Sequence, residues 1–201
     1  MERKANLAEL NKAAIAALVQ AAGSGDRDAS HELYLYFVQR IYNFVLGMVR
    51  SREEAEDITQ DAFVLAFNNL PSLKDPSKFE HWLYRIARNE IYQRFRKRRN
   101  EQVPLEDIQW QELTPATGQG PQTNPEDSVL QQELEVVVEQ TLHSLPPKLR
   151  EVFILSVLHR KSYKQISKIV GRSLLSVKTD IYRARVFAKD TIQRYLSTEN
   201  L

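Results

Sequence analysis

The sequence predicts an all-α protein of two small helical domains joined by a flexible linker; its composition, its helix-cap spacings and one polar stretch carry that expectation. Only six Gly occur in 201 residues. Apolar residues rarely alternate with period two, and long runs draw on Ala, Leu, Glu, Gln, Lys and Arg, which lose little on entering a helix. Ser51 with Glu54, Ser77 with Glu80 and Ser162 with Gln165 have the spacing of capping boxes, in which the hydroxyl takes a first-turn amide and the longer side chain returns to the cap. Residues 100–127, with TPATGQGPQTNP at their centre, are too polar and broken to pack, and they read as a linker between domains at 1–99 and 128–201. With 42% hydrophobic and 27% charged residues, the chain can bury an ordinary core.

Taken in order, the run Ala13 to Ala22 is apolar but short, broken by Gln20, preceded by a mixture of Glu9 and Lys12 and followed by an amphipathic helix pattern, so it does not read as a signal peptide. No run approaches the roughly 20 residues of a membrane span. No membrane insertion is expected, and the cytoplasm is the expected location. Cys is absent, which excludes disulfides and thiolate metal sites. From His31 to Arg50, Leu33, Phe37, Ile41, Phe44, Val45 and Met48 share one helical side. Ser51 then opens a helix that should bury Ala55, Ile58, Ala62, Leu65 and Ala66 and stop before Pro71. Residues 71–78 read as a loop, and a further helix runs through Trp82, Leu83, Ile86, Ala87 and Ile91 into the basic cluster at 94–99.

Beyond the linker, helical spacing resumes at Leu130, Leu134, Val137 and Leu142, is interrupted by Pro146 and Pro147, and returns through Leu149, Val152, Phe153 and Leu155. Then comes SYKQISKIVGRSLLSVKTDIYRAR, from Ser162 to Arg185. Its first helix is capped by Ser162 and Gln165, and Gly171 supplies the left-handed conformation that ends a helix without steric cost. Ser173 can cap a second helix. On it Leu174, Val177, Ile181, Ala184 and Ala188 point inward, leaving Ser176, Lys178, Thr179, Arg183 and Arg185 outside. This is the layout of a helix-turn-helix whose second helix fits a major groove. The same pattern also suits two helices that merely pack together and keep a basic, solvated face.

The net charge is only +2, yet no Lys or Arg occurs from Glu101 to Pro147 while both flanks are basic. Two separated contacts with a polyanion would produce that asymmetry. The helix opened by Ser51 carries Glu53, Asp57 and Asp61 at four-residue steps. Such a stripe suits a basic partner or simply a solvated face; a helical carboxylate metal site would want a Glu-x-x-His pair, and none accompanies it. The helix after Phe79 interleaves Arg85, Arg88 and Arg94 with Trp82, Tyr84, Tyr92 and Phe95, a mixture that suits single-stranded nucleic acid, although the rings could equally be core. The four His residues are scattered, and with no Cys they form no catalytic or metal-binding constellation. No cofactor and no enzymatic activity are expected.

Three segments, AEDITQDAFVLAF (Ala55 to Phe67), FEHWLYRIARNEIYQRFRKRR (Phe79 to Arg99) and SLPPKLREVFILSVLHRKSYKQISKIVGRSLLSVKTDIYRARVFAKDTI (Ser144 to Ile192), resemble regions 2 and 4 of bacterial extracytoplasmic-function sigma factors. The resemblance implies a dissociable subunit that gives core RNA polymerase its promoter specificity. It implies that Asp57, Gln60 and Asp61 dock on the polymerase clamp helices. Lys74, Asp75, Ser77 and Lys78 in the loop, with Trp82, Arg85, Arg88, Asn89 and Tyr92 on the helix, would capture the −10 element as a single strand, where stacking offsets the few kcal/mol of base flipping. Arg172, Ser173, Leu175, Ser176, Lys178, Thr179 and Arg183 would read the −35 duplex. The linker would thread toward the template strand, and an anti-sigma factor is the further partner that the family often has.

The chain departs from the family pattern at several positions. Asp180 stands where Arg is frequent, and a carboxylate facing the DNA backbone would repel it unless it accepted from a cytosine amine. Leu175 replaces a small residue and could touch a thymine methyl, and His159, Arg160 and Lys161 replace a Gly-containing turn. The competing reading is a stand-alone helix-turn-helix regulator, which would bind a duplex operator tightly without polymerase, usually as a symmetric dimer.

Overall fold

The structure is a computed structural model that describes residues 12–101 and 137–198. The expected linker lies almost wholly outside the described residues, as does the expected start of the second domain near Ser128. Every regular element among the described residues is helical.

The first unit comprises α1 (Lys12–Gly23), α2 (Arg27–Met48), α3 (Arg52–Asn69), 3-10 turns at Leu70–Ser72 and Pro76–Lys78, and α4 (Phe79–Glu101). Asp26 starts α2 by accepting from the amides of Asp28 and Ala29 at 2.9 and 3.0 Å, which satisfies donors that the helix itself cannot. Leu33, Phe37, Ile41, Phe44, Val45 and Met48 are all buried, as their spacing requires. Ser51 caps α3 through the Glu54 amide at 3.2 Å. The Glu54 carboxylate, however, does not return to the cap; it pairs with Arg98 at 2.7 Å. Leu65, expected in the core, is 38% exposed, and Phe63 takes the inward position. Just before α4, Asp75 caps the 3-10 turn Pro76–Lys78: its carboxylate accepts from the Ser77 amide and hydroxyl at 3.1 and 2.6 Å. The expected loop is thus two tight turns, and the capping box with Glu80 is absent because Glu80 is engaged by Lys161.

The second unit contains α5 (described residues 137–144), α6 (Pro147–Phe153), a π-helical turn (Ile154–Leu158), α7 (Tyr163–Val170) and α8 (Leu174–Thr198). Pro147 sits at the first position of α6, where its missing N–H costs nothing. The Ser162 and Gln165 capping box is complete, with bonds of 2.8 and 3.3 Å. Gly171 has φ of 68°, the left-handed value its place at the end of α7 demands. Ser173 accepts from the Ser176 amide at 3.2 Å and opens α8, which runs for 25 residues and is far longer than a short recognition helix requires. Val177, Ile181, Ala184 and Ala188 are buried as expected, whereas Leu174 is 44% exposed because it lies at the very start of the helix.

The two units do not stand apart. α4 packs on α7, and α2 packs on α6 and the π turn, so one continuous core crosses between them. Phe44 of α2, Tyr84 of α4 and His159 meet edge to face, with ring centroids 5.4 to 6.1 Å apart. Ile154, wholly buried, lies so close to Gly47 that a Cβ there would stand 2.9 Å from its Cδ1. Burying such a side chain contributes about 1.5 to 3 kcal/mol. Arg150 extends a buried guanidinium from α6 to the Met48 carbonyl at 2.9 Å and back to the carbonyls of His143 and Leu145 at 2.7 and 3.0 Å. Three carbonyls on one planar fork satisfy most of what burial costs the charge, and burial lowers its pKa to about 10.

Candidate nucleic-acid interface

The helix-turn-helix presents its outer face as the cap pattern dictates. Ser173, Leu175, Lys178, Thr179 and Arg183 are exposed, and Ser176 is half-buried. Leu175, 75% exposed at the start of α8, projects an apolar tip beside the partly exposed Leu174. Thr179 donates its hydroxyl to the Leu175 carbonyl at 3.1 Å, which leaves the oxygen's lone pairs free to accept. Arg172 is different. It is mostly buried and bonded to Asp180, whose carboxylate is itself buried with Lys148 3.9 Å away. Asp180 therefore does not face a DNA backbone; it is an internal partner for the turn, and the repulsion expected of it does not arise.

On α4, Arg85 and Asn89 are exposed, Trp82 is half-buried and tilted against Phe79 with centroids 6.1 Å apart, and Tyr84 belongs to the core. Arg88 and Tyr92 turn instead toward α6: the Arg88 Nε and the Tyr92 hydroxyl donate to Glu151, the latter at 3.0 Å, and the Arg88 guanidinium lies 4.6 Å from the Tyr92 ring centre. Glu151 is wholly buried. Burial pushes its pKa up while Arg88, Tyr92 and Arg172 oppose that shift, and the Tyr92 hydroxyl is pushed up by burial and by the carboxylate's charge. In the loop, Lys74 is exposed and Asp75 is tied to Ser77 and, at 2.9 Å, to Lys78. Those hydrogen bonds hold the Asp75 carboxyl at about 2.

On α3, Asp57, Gln60 and Asp61 share an exposed face. Asp61 is also paired with Arg94 of α4 at 2.9 Å, a surface contact of small energetic weight. The predicted residues thus form separate exposed faces on α3, α4 and α8, but Arg88, Tyr92 and Arg172 are drawn together around a residue that sequence reasoning passed over. No local signal marks Glu151, because its partners on α4 are 59 and 63 positions away.

The Sigma-70 region 2 family matches residues 33–101, and the Sigma-70, region 4 family matches residues 135–187. Among relatives, the ECF RNA polymerase sigma factor SigW of Bacillus subtilis is 34% identical over 167 residues, covering 80% of this chain and 87% of that protein. The ECF RNA polymerase sigma-E factor of Haemophilus influenzae is 32% identical over 184 residues, covering 88% and 94%. Of solved structures, CnrH in complex with the cytosolic domain of CnrY superposes with a TM-score of 0.68 at 22% identity, covering 90% of this chain and 97% of that one. The sigma factor RpoE of Bartonella quintana, in complex with the anti-sigma factor NepR, gives 0.62 at 22% identity, covering 81% and 96%.

Proposed function

The chain belongs to the sigma-70 family, among the extracytoplasmic-function RNA polymerase sigma factors, and from that premise we propose how its residues divide the work of starting transcription. It is a sigma factor, not an enzyme: it binds core RNA polymerase, directs it to promoters and helps open the duplex, while the polymerase performs the chemistry. The stand-alone regulator gives way to this reading because both sigma regions are matched in order along the chain.

Residues 1–99 form the docking and −10 domain, 100–127 the connector and 128–201 the −35 domain. Asp57, Gln60 and Asp61 meet the polymerase clamp through their exposed α3 face. Lys74, Asp75, Ser77, Lys78, Trp82, Arg85, Arg88, Asn89 and Tyr92 take the −10 strand, the rings of Trp82 and Tyr92 for stacking and the cations for phosphates, with Arg88 and Tyr92 first giving up their bonds to Glu151. On α8, Ser173, Leu175, Ser176, Lys178, Thr179 and Arg183 read the −35 major groove, the polar side chains through base edges and phosphates and Leu175 through a thymine methyl. Arg172 supports that surface from behind as well as lying at its edge, since it is bonded to Asp180. The observation that carries this reading is the exposed hydroxyl, cation and methyl face on α8, set at a fixed angle by the complete Ser162 cap and the left-handed Gly171.

None of the described helices is long and apolar enough to cross a membrane; the site of action is the cytoplasm, where polymerase and DNA are found. An anti-sigma factor is the expected regulator, since the relatives of like fold include sigma factors solved with such proteins. Run-off transcription with core polymerase over a promoter library tests the function. Transcripts that start at a shared pair of elements only when the chain is added support it; no dependence on the chain refutes it.

A further inference from the structure

The connector between α3 and α4 carries Lys74, Asp75, Ser77 and Lys78, and its own hydrogen bonds are local. The Leu73 amide donates to the Leu70 carbonyl and the Lys78 amide to that of Asp75, both at 3.0 Å, while the Asp75 carboxylate binds Ser77 and Lys78 within the same turn. Such bonds shape each turn but do not fix where it stands against α4. Packing does that. Leu70 is buried and Leu73 half-buried in the core, and α1, which precedes the stretch matched by the region 2 family, lies on both turns. Ile15, Leu18, Val19 and Ala22 recur at helical spacing and carry α1 into that core. A Cβ on Gly23 would stand 4.0 Å from the Leu70 Cγ, and the Lys12 charge acts on His81 in the first turn of α4. α1 thus runs the length of the connector.

The direction of α1 is itself fixed. At its end the Gly25 amide donates to the Ala22 carbonyl at 3.0 Å and the Asp26 amide to that of Ala21 at 3.1 Å, with Gly25 at a φ of 96°. This paired closure is a Schellman motif, a helix stop that takes a left-handed residue at that place. The next residue, Asp26, already caps α2. With no slack between the two helices, α2 becomes the reference from which α1 sets the connector. We propose that α1 is the positioning element of −10 recognition: through Leu70 and Leu73 it holds Lys74, Asp75, Ser77 and Lys78 at the spacing from Trp82, Arg85 and Asn89 that a −10 strand requires. Ile15, Leu18 and Gly23 are its positioning residues, and they act through the connector. This rests on the assignment of those loop and helix residues to the −10 strand. A shift of α1 moves the loop against α4 and changes which bases fit between them.

The test uses holoenzyme formed from the full chain and core polymerase, in run-off transcription over a library of −10 sequences beside a fixed −35 element. One variant combines Ile15→Ala with Leu18→Ala and thins the apolar stripe of α1; a second, Gly23→Leu, crowds Leu70; Ala17→Gln, at an exposed position of α1, is the control. The first two should change the ratio of transcripts from the best −10 sequence to those from its single-base variants by about fivefold or more, because a misplacement of about 1 Å can cost a reaction about a hundredfold. Ala17→Gln should keep the parent's ratios, and all three should compete for core polymerase as the parent does. A mere loss of folded protein lowers every template together and leaves the ratios alone, so the ratio reads position and not stability. Folded variants, checked by circular dichroism, that keep the parent's ratios overturn the proposal. If Lys78→Ala and Trp82→Ala, which change the readers directly, also leave the ratios unmoved, the −10 assignment itself fails, and the proposal falls with it.

Discussion

The Arg172 guanidinium donates to the Asp180 carboxylate across the start of α8, and both side chains are largely withdrawn from water. Arg172 is also set against Glu151, 3.6 Å from its Oε2. Removing a single partner from a buried pair strands the other charge, at a cost of about 3 kcal/mol. Arg172→Ala should therefore lower the stability of the chain by about that much, whereas Lys178→Ala, on the exposed face, should change it by under about 0.5 kcal/mol. Urea unfolding of the two variants side by side checks the contrast. Equal losses would mean that the buried pair has no special weight.

Polymerase docking is proposed for exposed side chains of α3, of which Asp61 also pairs with Arg94. Replacing Asp57 and Gln60 together by Ala should weaken competition for core polymerase by about 1 to 2 kcal/mol, in the range of ordinary interface contacts, and leave the thermal transition in place. Unchanged competition would remove α3 from the interface.

Lys178→Ala or Arg183→Ala should reduce −35-dependent initiation and lower the salt slope of promoter binding by about 1, the signature of one lost phosphate contact. Leu175→Ala should act differently. Lacking charge, it should leave the salt slope intact and relax preference at a single thymine, by about 1 kcal/mol or somewhat more. Filter binding across a salt series separates these effects.

Acid should loosen the folded chain through two imidazoles, the buried His143 and the half-buried His159. Burial lowers His143 to about 4, assisted by the cations of Arg150 and Arg50. His159 is lowered likewise to about 4 by burial and by Lys161 and Arg40, with Glu80 pulling the other way. In the unfolded chain both take up protons near pH 6.5. Between pH 6.5 and 4 the unfolded state then binds more protons than the folded one, so stability falls as pH drops through that window and levels off below it. Melting temperature against pH should show this slope, and His159→Gln should flatten it.

Arg160 has φ of 50°, a left-handed value that costs an L side chain about 1 kcal/mol. Arg160→Gly should accordingly stabilise the chain slightly, by under about 1 kcal/mol once the extra freedom of Gly in the unfolded state is subtracted. Denaturant midpoints decide the sign.

What could be read from the sequence was what is decided within a few residues. Ser162, Gln165 and Gly171 fix the start and end of α7 through bonds spanning three or four positions, and the apolar stripe of α2 fixes its buried side. The same reasoning placed a capping box at Ser77, where Asp75 instead takes the Ser77 amide to cap a 3-10 turn and Glu80 is claimed by Lys161, 81 positions away. It also misplaced Leu65 and Leu174, since helical spacing gives a face but not how much of that face a neighbour covers. Asp180 looked like a hazard to DNA only because its partner, Arg172, could not be seen from spacing alone. The docking of one unit on the other lay beyond reach for the same reason: charge and ring partners chosen across a hundred positions leave no periodic trace.

The bond from Arg150 to the Met48 carbonyl spans 102 positions of chain. During synthesis at about 5 to 20 residues per second, the end of α2 would emerge roughly 5 to 20 s before the guanidinium that completes it. For that interval the nascent amino-terminal half is an unfinished surface with Gly47 still bare. A newborn chain still on the ribosome is therefore the form in which α4 lacks the cover that α7 gives it in the finished fold.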